Sequence, residues 1–371
     1  MKNKKPTGRP SKTSKKPALH RAWHILWTAR NKWQRAGILV LAFLFVWYAQ
    51  VWLISNWYIN KHKNEPLNIG VTFIPDYAES FGLDSHQTLL ALRDDLGFKR
   101  FRLVSYWSDI EKSPGQYDFS ELDWEINQVQ AVHGQVTLSI GMRQPRWPEC
   151  HIPDWDQKAA APKRLADIEA FNKVVVNRYK NNPALISYQL ENEYFLTAFG
   201  ICPKPDRADL IQEFNDVKKE DPNHPIIMSL ANNYFGVPDG QPRPDQYGVS
   251  VYKRVFDSTV THQYLEYPFT PRYYAWRAGL TEILTGKSSM LHELQAEPWT
   301  PPGIDLKDAS VAEQNKSMNA TRLKQRIVYA EKTGFRDIDL WGGEWWYYRL
   351  VHNHDPSLWN VIKENMQHYG T

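Results

Sequence analysis

The chain is poor in cysteine and methionine, with two and six in 371 residues. Cys150 and Cys202 can therefore form at most one internal disulfide. Acidic residues are missing from positions 1–35, which carry eleven Lys or Arg. The formal charge of +4 thus sums two opposite regions, and the remainder nets about −7. A mildly acidic bulk gives no electrostatic reason for nucleic-acid binding. No Gly-x-Gly-x-x-Gly follows the first apolar run, which removes support for dinucleotide binding, and no Gly-x-Ser-x-Gly supports a serine hydrolase. His292-Glu293 opens like a zinc-protease helix, but position 296 is Ala. His352 and His354 lack a third spaced ligand and are read as a polar loop. No metal or cofactor is indicated.

Charge is also absent from Ala36 to Asn60. A hydrocarbon core about 30 Å thick needs roughly twenty apolar residues in a helix, and residues 36–59 meet that length. Trp47, Tyr48, Trp52 and Trp57 resemble an interfacial belt. A cleaved signal peptide is the competing reading. The long basic segment before the run, the length of the run and the lack of a small-x-small site before Lys61 count against it. Met1 to Pro17 has too little apolar surface to fold. His20 to Arg35 interleaves Trp23, Trp27 and Trp33 with cations, a mixture suited to lipid headgroups or to an unstructured basic tail. The expected order is a cytoplasmic basic arm (1–35), a single transmembrane helix (36–59), a linker (60–66) and an extracytoplasmic domain (67–371). In that compartment Cys150 and Cys202 are either a disulfide or two buried thiols.

From Leu67 onward strand-like and helix-like segments alternate. Strands are predicted over 67–73, 98–106, 135–141, 185–191, 225–231, 247–252, 288–293 and 335–341. Helices are predicted over 85–96, 119–132, 165–180, 207–219, 271–284, 311–332 and 356–368. Alternation calls for a parallel sheet, and eight repeats fit a closed (β/α)8 TIM barrel, an α/β fold, better than an open sheet. Such barrels carry their chemistry at the C-terminal ends of the strands. The residues there include Asp76, Tyr106, Trp107, Arg143, Gln144, Asn192, Glu193, Asn232, Asn233, Tyr252, Lys253, Glu293 and Trp341.

Two of these strands end in glutamates, in Gln189-Leu-Glu-Asn-Glu-Tyr194 and His292-Glu-Leu-Gln-Ala-Glu-Pro298. Paired carboxylates flanking a bond are the usual equipment for glycosidic hydrolysis. Arg102 in strand two, Asn192-Glu193 after strand four, Tyr252 after strand six, Glu293 after strand seven and Trp341 after strand eight together resemble clan A of the retaining β-glycosidases. The segment Trp107 to Asp123 resembles that clan's loop after strand two. The resemblance covers residues 67–371. It implies that Glu193 is the general acid/base and Glu293 the nucleophile, with Glu191 and Glu297 as their respective rivals. Asn192 would bond a sugar 2-hydroxyl, Arg102 and Tyr252 would hold Glu293 ionised and aimed, and Trp341 would floor the subsite of the cleaved sugar. Trp107 and Trp147 are further candidates for sugar contact, and Trp147, Trp155, Trp345 and Trp346 are as readily loop packing as sugar platforms. Glu191 is expected deeper in the barrel, bonded to Arg or Lys. The implied partner is a carbohydrate, handled by a hydrolase, by a transglycosylase using the same two glutamates, or by a non-catalytic binding barrel.

Overall fold

The computed structural model describes residues 27, 31–231 and 240–369. Most of the basic arm, including Trp23, lies outside the described residues, as do Asn232 and Asn233. The chain divides into two units, Met1–Leu53 and Ile54–Thr371. The first is dominated by α1 (Lys32–His62), a 31-residue helix. It is long and apolar enough to cross a membrane, a property that signal sequences share.

The helix outruns the expected 36–59 at both ends, and its last turns belong to the second unit. The reason is packing. Tyr58 is buried and meets Phe335 edge-on, with ring centroids 5.9 Å apart. Lys61 and His62 both pair with Glu282. Gly279 permits the approach, because a Cβ there would lie 2.9 Å from Ile54 Cγ2. The linker is accordingly shorter than 60–66.

The second unit is a closed parallel barrel. Its strands are β1 (Asn68–Thr72), β2 (Arg100–Val104), β3 (Gln135–Ile140), β4 (Leu185–Leu190), β5 (Ile226–Leu230), β6 (Gln246–Val251), β9 (Ser288–Gln295) and β10 (Asp337–Trp341). They close in the order β1-β10-β9-β6-β5-β4-β3-β2. Each is covered by helices outside and side chains inside, so strands of this kind read as apolar runs rather than alternating ones. A hairpin of β7 (Arg254–Phe256) and β8 (Tyr264–Glu266) follows β6; it was not expected.

The helices are α2 (Pro75–Ser80), α3 (Ser85–Leu90), α4 (Trp107–Ile110), α5 (Ser120–Ala131), α6 (Ala161–Tyr179), α7 (Arg207–Glu220), α8 (Pro271–Thr285), α9 (Val311–Ser317), α10 (Ala320–Glu331), α11 (Gly343–Val351) and α12 (Ser357–Tyr369). The helix expected over 85–96 is α3 continued by a π-turn, Ala91–Asp95. The one expected over 311–332 is two helices. Met318 is extended, and Asn319 caps the second helix by accepting the Arg322 N–H at 3.0 Å. At the bottom of the barrel, Arg100 Nε donates to Asp339 Oδ1 at 2.8 Å, with both residues buried. Gly70 leaves the room, since a Cβ would sit 2.5 Å from that oxygen.

At the mouth, Cys150 and Cys202 form a disulfide with Cα atoms 5.2 Å apart, joining the loops after β3 and β4. The free-thiol alternative is thereby removed. The bond closes a loop spanning 52 positions, for which chain-entropy arguments give about 4 kcal/mol of stabilisation. Replacing both cysteines by serine should lower the denaturation midpoint of the full chain correspondingly; an unchanged midpoint would contradict a stabilising role.

Candidate active site

Strand register decides which side chains meet at the mouth. Arg102 on β2 sits opposite Thr72 of β1 and Thr137 of β3 and is completely buried. Its Nη1 donates to Glu293 Oε1 at 2.8 Å, and its Nη2 donates to Asn192 Oδ1 at 3.1 Å. Glu293 also accepts from the Tyr252 hydroxyl at 2.8 Å, on its other oxygen. Arg102, Asn192, Tyr252 and Glu293 therefore converge.

Glu193 enters from the other side. Ser250, which pairs with Glu293 in register across β6 and β9, donates its hydroxyl to Glu193. The Glu193 N–H donates to Ser229 Oγ at 2.6 Å. Glu191 and Glu193 have φ of 55° and 45°, a left-handed backbone that costs non-glycine residues of order 1 kcal/mol each. The turn is held because Glu191 accepts the N–H groups of Met142 and Arg143 at 2.6 and 2.9 Å. Glu191 is thus bonded to backbone rather than to the expected Arg or Lys side chain. It braces the strand end from behind, and Gly141 has no Cβ that would collide with it.

Burial and the neighbouring Glu293 charge push Glu193 up to about 7. A carboxyl in that range carries a proton near neutrality and is fitted to donate it. A third carboxyl, Glu149, was not anticipated. Located one residue before Cys150, it accepts from Asn192 Nδ2 at 3.1 Å and lines the same cleft. Burial, then the Glu293 charge, raises it to about 8. His292 is driven well below its ordinary range by burial and by Arg102, and so stays neutral.

The cleft has a volume of about 1150 Å³ and is bordered by Glu193, Glu293, Asn192, Tyr252, Trp341 and Trp147. Trp147 is 58% exposed at its rim, with Phe199 and Trp299 alongside. Trp107 must be corrected. It is wholly buried, donates to Glu111 Oε2 at 2.6 Å and meets Trp155 edge-on. An aromatic at a strand end faced the helix layer instead of the mouth. Trp345 and Trp346 are packing residues, fully buried. Gln144 braces the end of β2 through Ser105, and Lys253 donates to the carbonyls of Tyr267 and Phe269.

Glu297 shares the cleft but not the company of Glu193. It accepts from Arg146 Nη1 at 2.6 Å, Trp341 Nε1 at 2.9 Å and the Tyr77 hydroxyl at 3.1 Å. Arg146, Glu149 and the role of Glu297 were missed in the sequence because loop residues carry no periodic signal. Cys150 was the available clue that this loop is pinned beside β4.

No family model matches the chain, and no curated protein sequence matches it. Solved structures do. An exo-β-1,4-mannosidase from Opitutaceae bacterium strain TAV5 aligns with TM-score 0.54 and 14% identity, over 82% of this chain and 60% of its own. A GH5_18 protein from Bifidobacterium longum aligns with TM-score 0.58 and 10% identity, over 82% and 80%. The fold is that of the TIM-barrel glycosidases. This chain spans only 52% of a third match, the β-galactosidase of Halorubrum lacusprofundi, at 12% identity and TM-score 0.48. At such identities the likeness is one of fold, in keeping with the clan A resemblance of the sequence.

Glu149 keeps its proton in the folded state and releases it on unfolding at its ordinary value of 4.5. Folding therefore takes up a proton above that value, and stability is lost as pH rises towards about 8. Glu149→Gln, which keeps the shape without the charge, should flatten the fall in melting temperature across this window. Superimposable pH profiles for the variant and the natural chain would contradict the assignment.

Proposed function

We propose that this chain is a retaining glycoside hydrolase that cleaves β-linked oligo- or polysaccharide through a covalent glycosyl-enzyme intermediate. The observation that carries the reading is the asymmetry of the two glutamates. Glu293 is clamped by a guanidinium and a phenol, whereas Glu193 is enclosed and pushed up to about 7. Surroundings so unlike support Glu293 as the nucleophile and Glu193 as the acid.

In the first step a Glu293 oxygen attacks the anomeric carbon while the glycosidic C–O bond breaks, and the Glu193 proton passes to the leaving oxygen. The attack splits one difficult displacement into two easier ones. Once Glu293 is esterified its charge is gone, so one of the two causes that raise Glu193 disappears. Glu193 is then suited to take a proton from the water that attacks the same carbon and frees Glu293. Asn192, fixed by Arg102 and bordering the cleft, would bond the sugar 2-hydroxyl. Helix α1 would act as the membrane anchor, with the barrel outside the cytoplasm; its length and composition support this part of the proposal.

Substitution separates the roles. Glu293→Ala should abolish hydrolysis of every substrate, and azide should restore a product of inverted configuration. Glu193→Ala should still be glycosylated by substrates with good leaving groups, with azide rescuing turnover at retained configuration. Near-normal hydrolysis of a natural substrate by either variant would remove the assignment. For the unmodified protein, kcat/KM should fall as pH rises through about 7, because the proton donor is being lost. With an activated aryl glycoside Glu193→Gln should lack that limb; a persisting limb would place the ionisation elsewhere.

A further inference from the structure

Glu297 and Arg146 form a charged pair in the cleft for which the two-glutamate mechanism has no use. The pair is doubly bonded, with Arg146 Nη1 to Oε1 at 2.6 Å and Nη2 to Oε2 at 3.2 Å. The guanidinium carbon lies 3.4 Å from the ring centroid of Tyr77 and 4.2 Å from that of Trp341. It therefore fills the space against the aromatic surface that was expected to floor the site. Trp341 borders the cleft, yet only 6% of it is exposed.

This arrangement is built in from several directions. Arg146 has φ of 86°, an unfavourable conformation for a non-glycine residue. Its loop is fixed by the Tyr106 hydroxyl on Pro145 O at 2.6 Å, by the Glu149 N–H on Arg146 O at 2.7 Å and by the disulfide at Cys150. Glu297 is seated by Gly342, where a Cβ would come within 2.6 Å of the Glu297 Cβ. Backbone strain that persists under so many constraints is typical of a site rather than of a wandering side chain.

The chemistry of the two glutamates gives the cleft a direction. On the hydrolase reading the sugar under attack lies towards Glu293, and the leaving group departs past Glu193, whose supports Ser229 and Ser250 are on β5 and β6. Trp341, whose ring lies 6.0 Å from the Arg102 guanidinium that holds Glu293, carries Arg146, Glu297 and Tyr77 on the Glu293 side. Phe199, in the loop that follows Glu193, and Trp299, whose ring lies 5.6 Å from that of Tyr252, form an apolar rim with Trp147; the three are respectively 39%, 37% and 58% exposed.

We propose that the Arg146–Glu297 pair ends the cleft one sugar beyond the scissile bond, so that the protein removes single sugars from non-reducing chain ends. The inference rests on the hydrolase reading. The pair is a specificity-determining wall: a second sugar on that side would have to displace a buried ion pair. Such displacement leaves two desolvated charges unpaired and is strongly disfavoured. Longer chains are accommodated on the aromatic side, where planar rings suit sugar faces.

The test uses the purified full chain. A panel of aryl β-glycosides first identifies a sugar that is hydrolysed, and oligosaccharides of that sugar, labelled at the reducing end, are then digested. Every oligosaccharide should shorten by one sugar at a time, and the aryl monosaccharide should exceed the corresponding aryl disaccharide in kcat/KM for aryl release by about tenfold or more. Arg146→Ala should move that ratio towards the disaccharide by about tenfold and raise KM for the monosaccharide. Glu297→Gln, which preserves shape, should move it in the same direction and covers the case in which the first variant does not fold. Mid-chain fragments as early products, preference of the unmodified protein for the aryl disaccharide, or an unmoved ratio in the folded variants would overturn the inference while leaving the hydrolase reading intact. Absence of hydrolysis across the whole panel would defeat that reading, and the inference with it.

Discussion

Arg102 is a cation with no exposed surface at the centre of the barrel mouth, and its charge is tolerable there only because Glu293 and Asn192 receive it. Removing water from a guanidinium costs several kcal/mol, which the partner charge and well-placed acceptors must offset. The constraint ties three strands together, since Arg102 lies on β2, Asn192 follows β4 and Glu293 lies on β9. Glu293 and Asn192, which precedes Glu193, are thereby fixed by one side chain. For the proposed hydrolysis, such pre-set geometry would avoid reorganisation at the moment of reaction.

Around that cation the mouth holds more carboxyl groups than the proposed two-step hydrolysis needs, and each is tamed differently. Glu293 receives a cation and a phenol, Glu193 a serine hydroxyl, Glu191 two backbone N–H groups, and Glu297 an arginine, an indole and a phenol. Glu149 and Glu193 are held up by burial and by the Glu293 charge. Like charges crowded into a low-dielectric site do not all ionise, so the crowding itself would supply the proposed mechanism with its proton donor. The loop that brings in Arg146 and Glu149 is pinned by the disulfide, which links the stability of an excursion on the surface to the shape of the cleft.

Much of this was legible beforehand, for a physical reason. Doubly covered parallel strands are short apolar runs, so all eight barrel strands stood out, and residues at their C-terminal ends fell at the mouth. Arg102, Asn192, Tyr252 and Glu293 were found through order along the chain, which the barrel converts into proximity. Trp107 failed because a strand-end aromatic does not reveal which way it turns. The hairpin of three-residue strands is too short for a periodic signal. The break at Met318 has no glycine or proline to announce it, although Asn319 was a readable cap. Arg146 and Glu149 depend on left-handed loop backbone, which tertiary contacts impose.

The central claim is that Glu293 forms a covalent bond to sugar. An aryl β-glycoside of an accepted sugar, fluorinated at C2 and carrying a good leaving group, slows release of the intermediate more than its formation, so the adduct accumulates. Peptide mass spectrometry after incubation should find one sugar per chain, attached to the peptide segment at Glu293. Attachment at Glu297 or Glu149, or release of the aryl group with no adduct while ordinary substrate is turned over, would contradict the account.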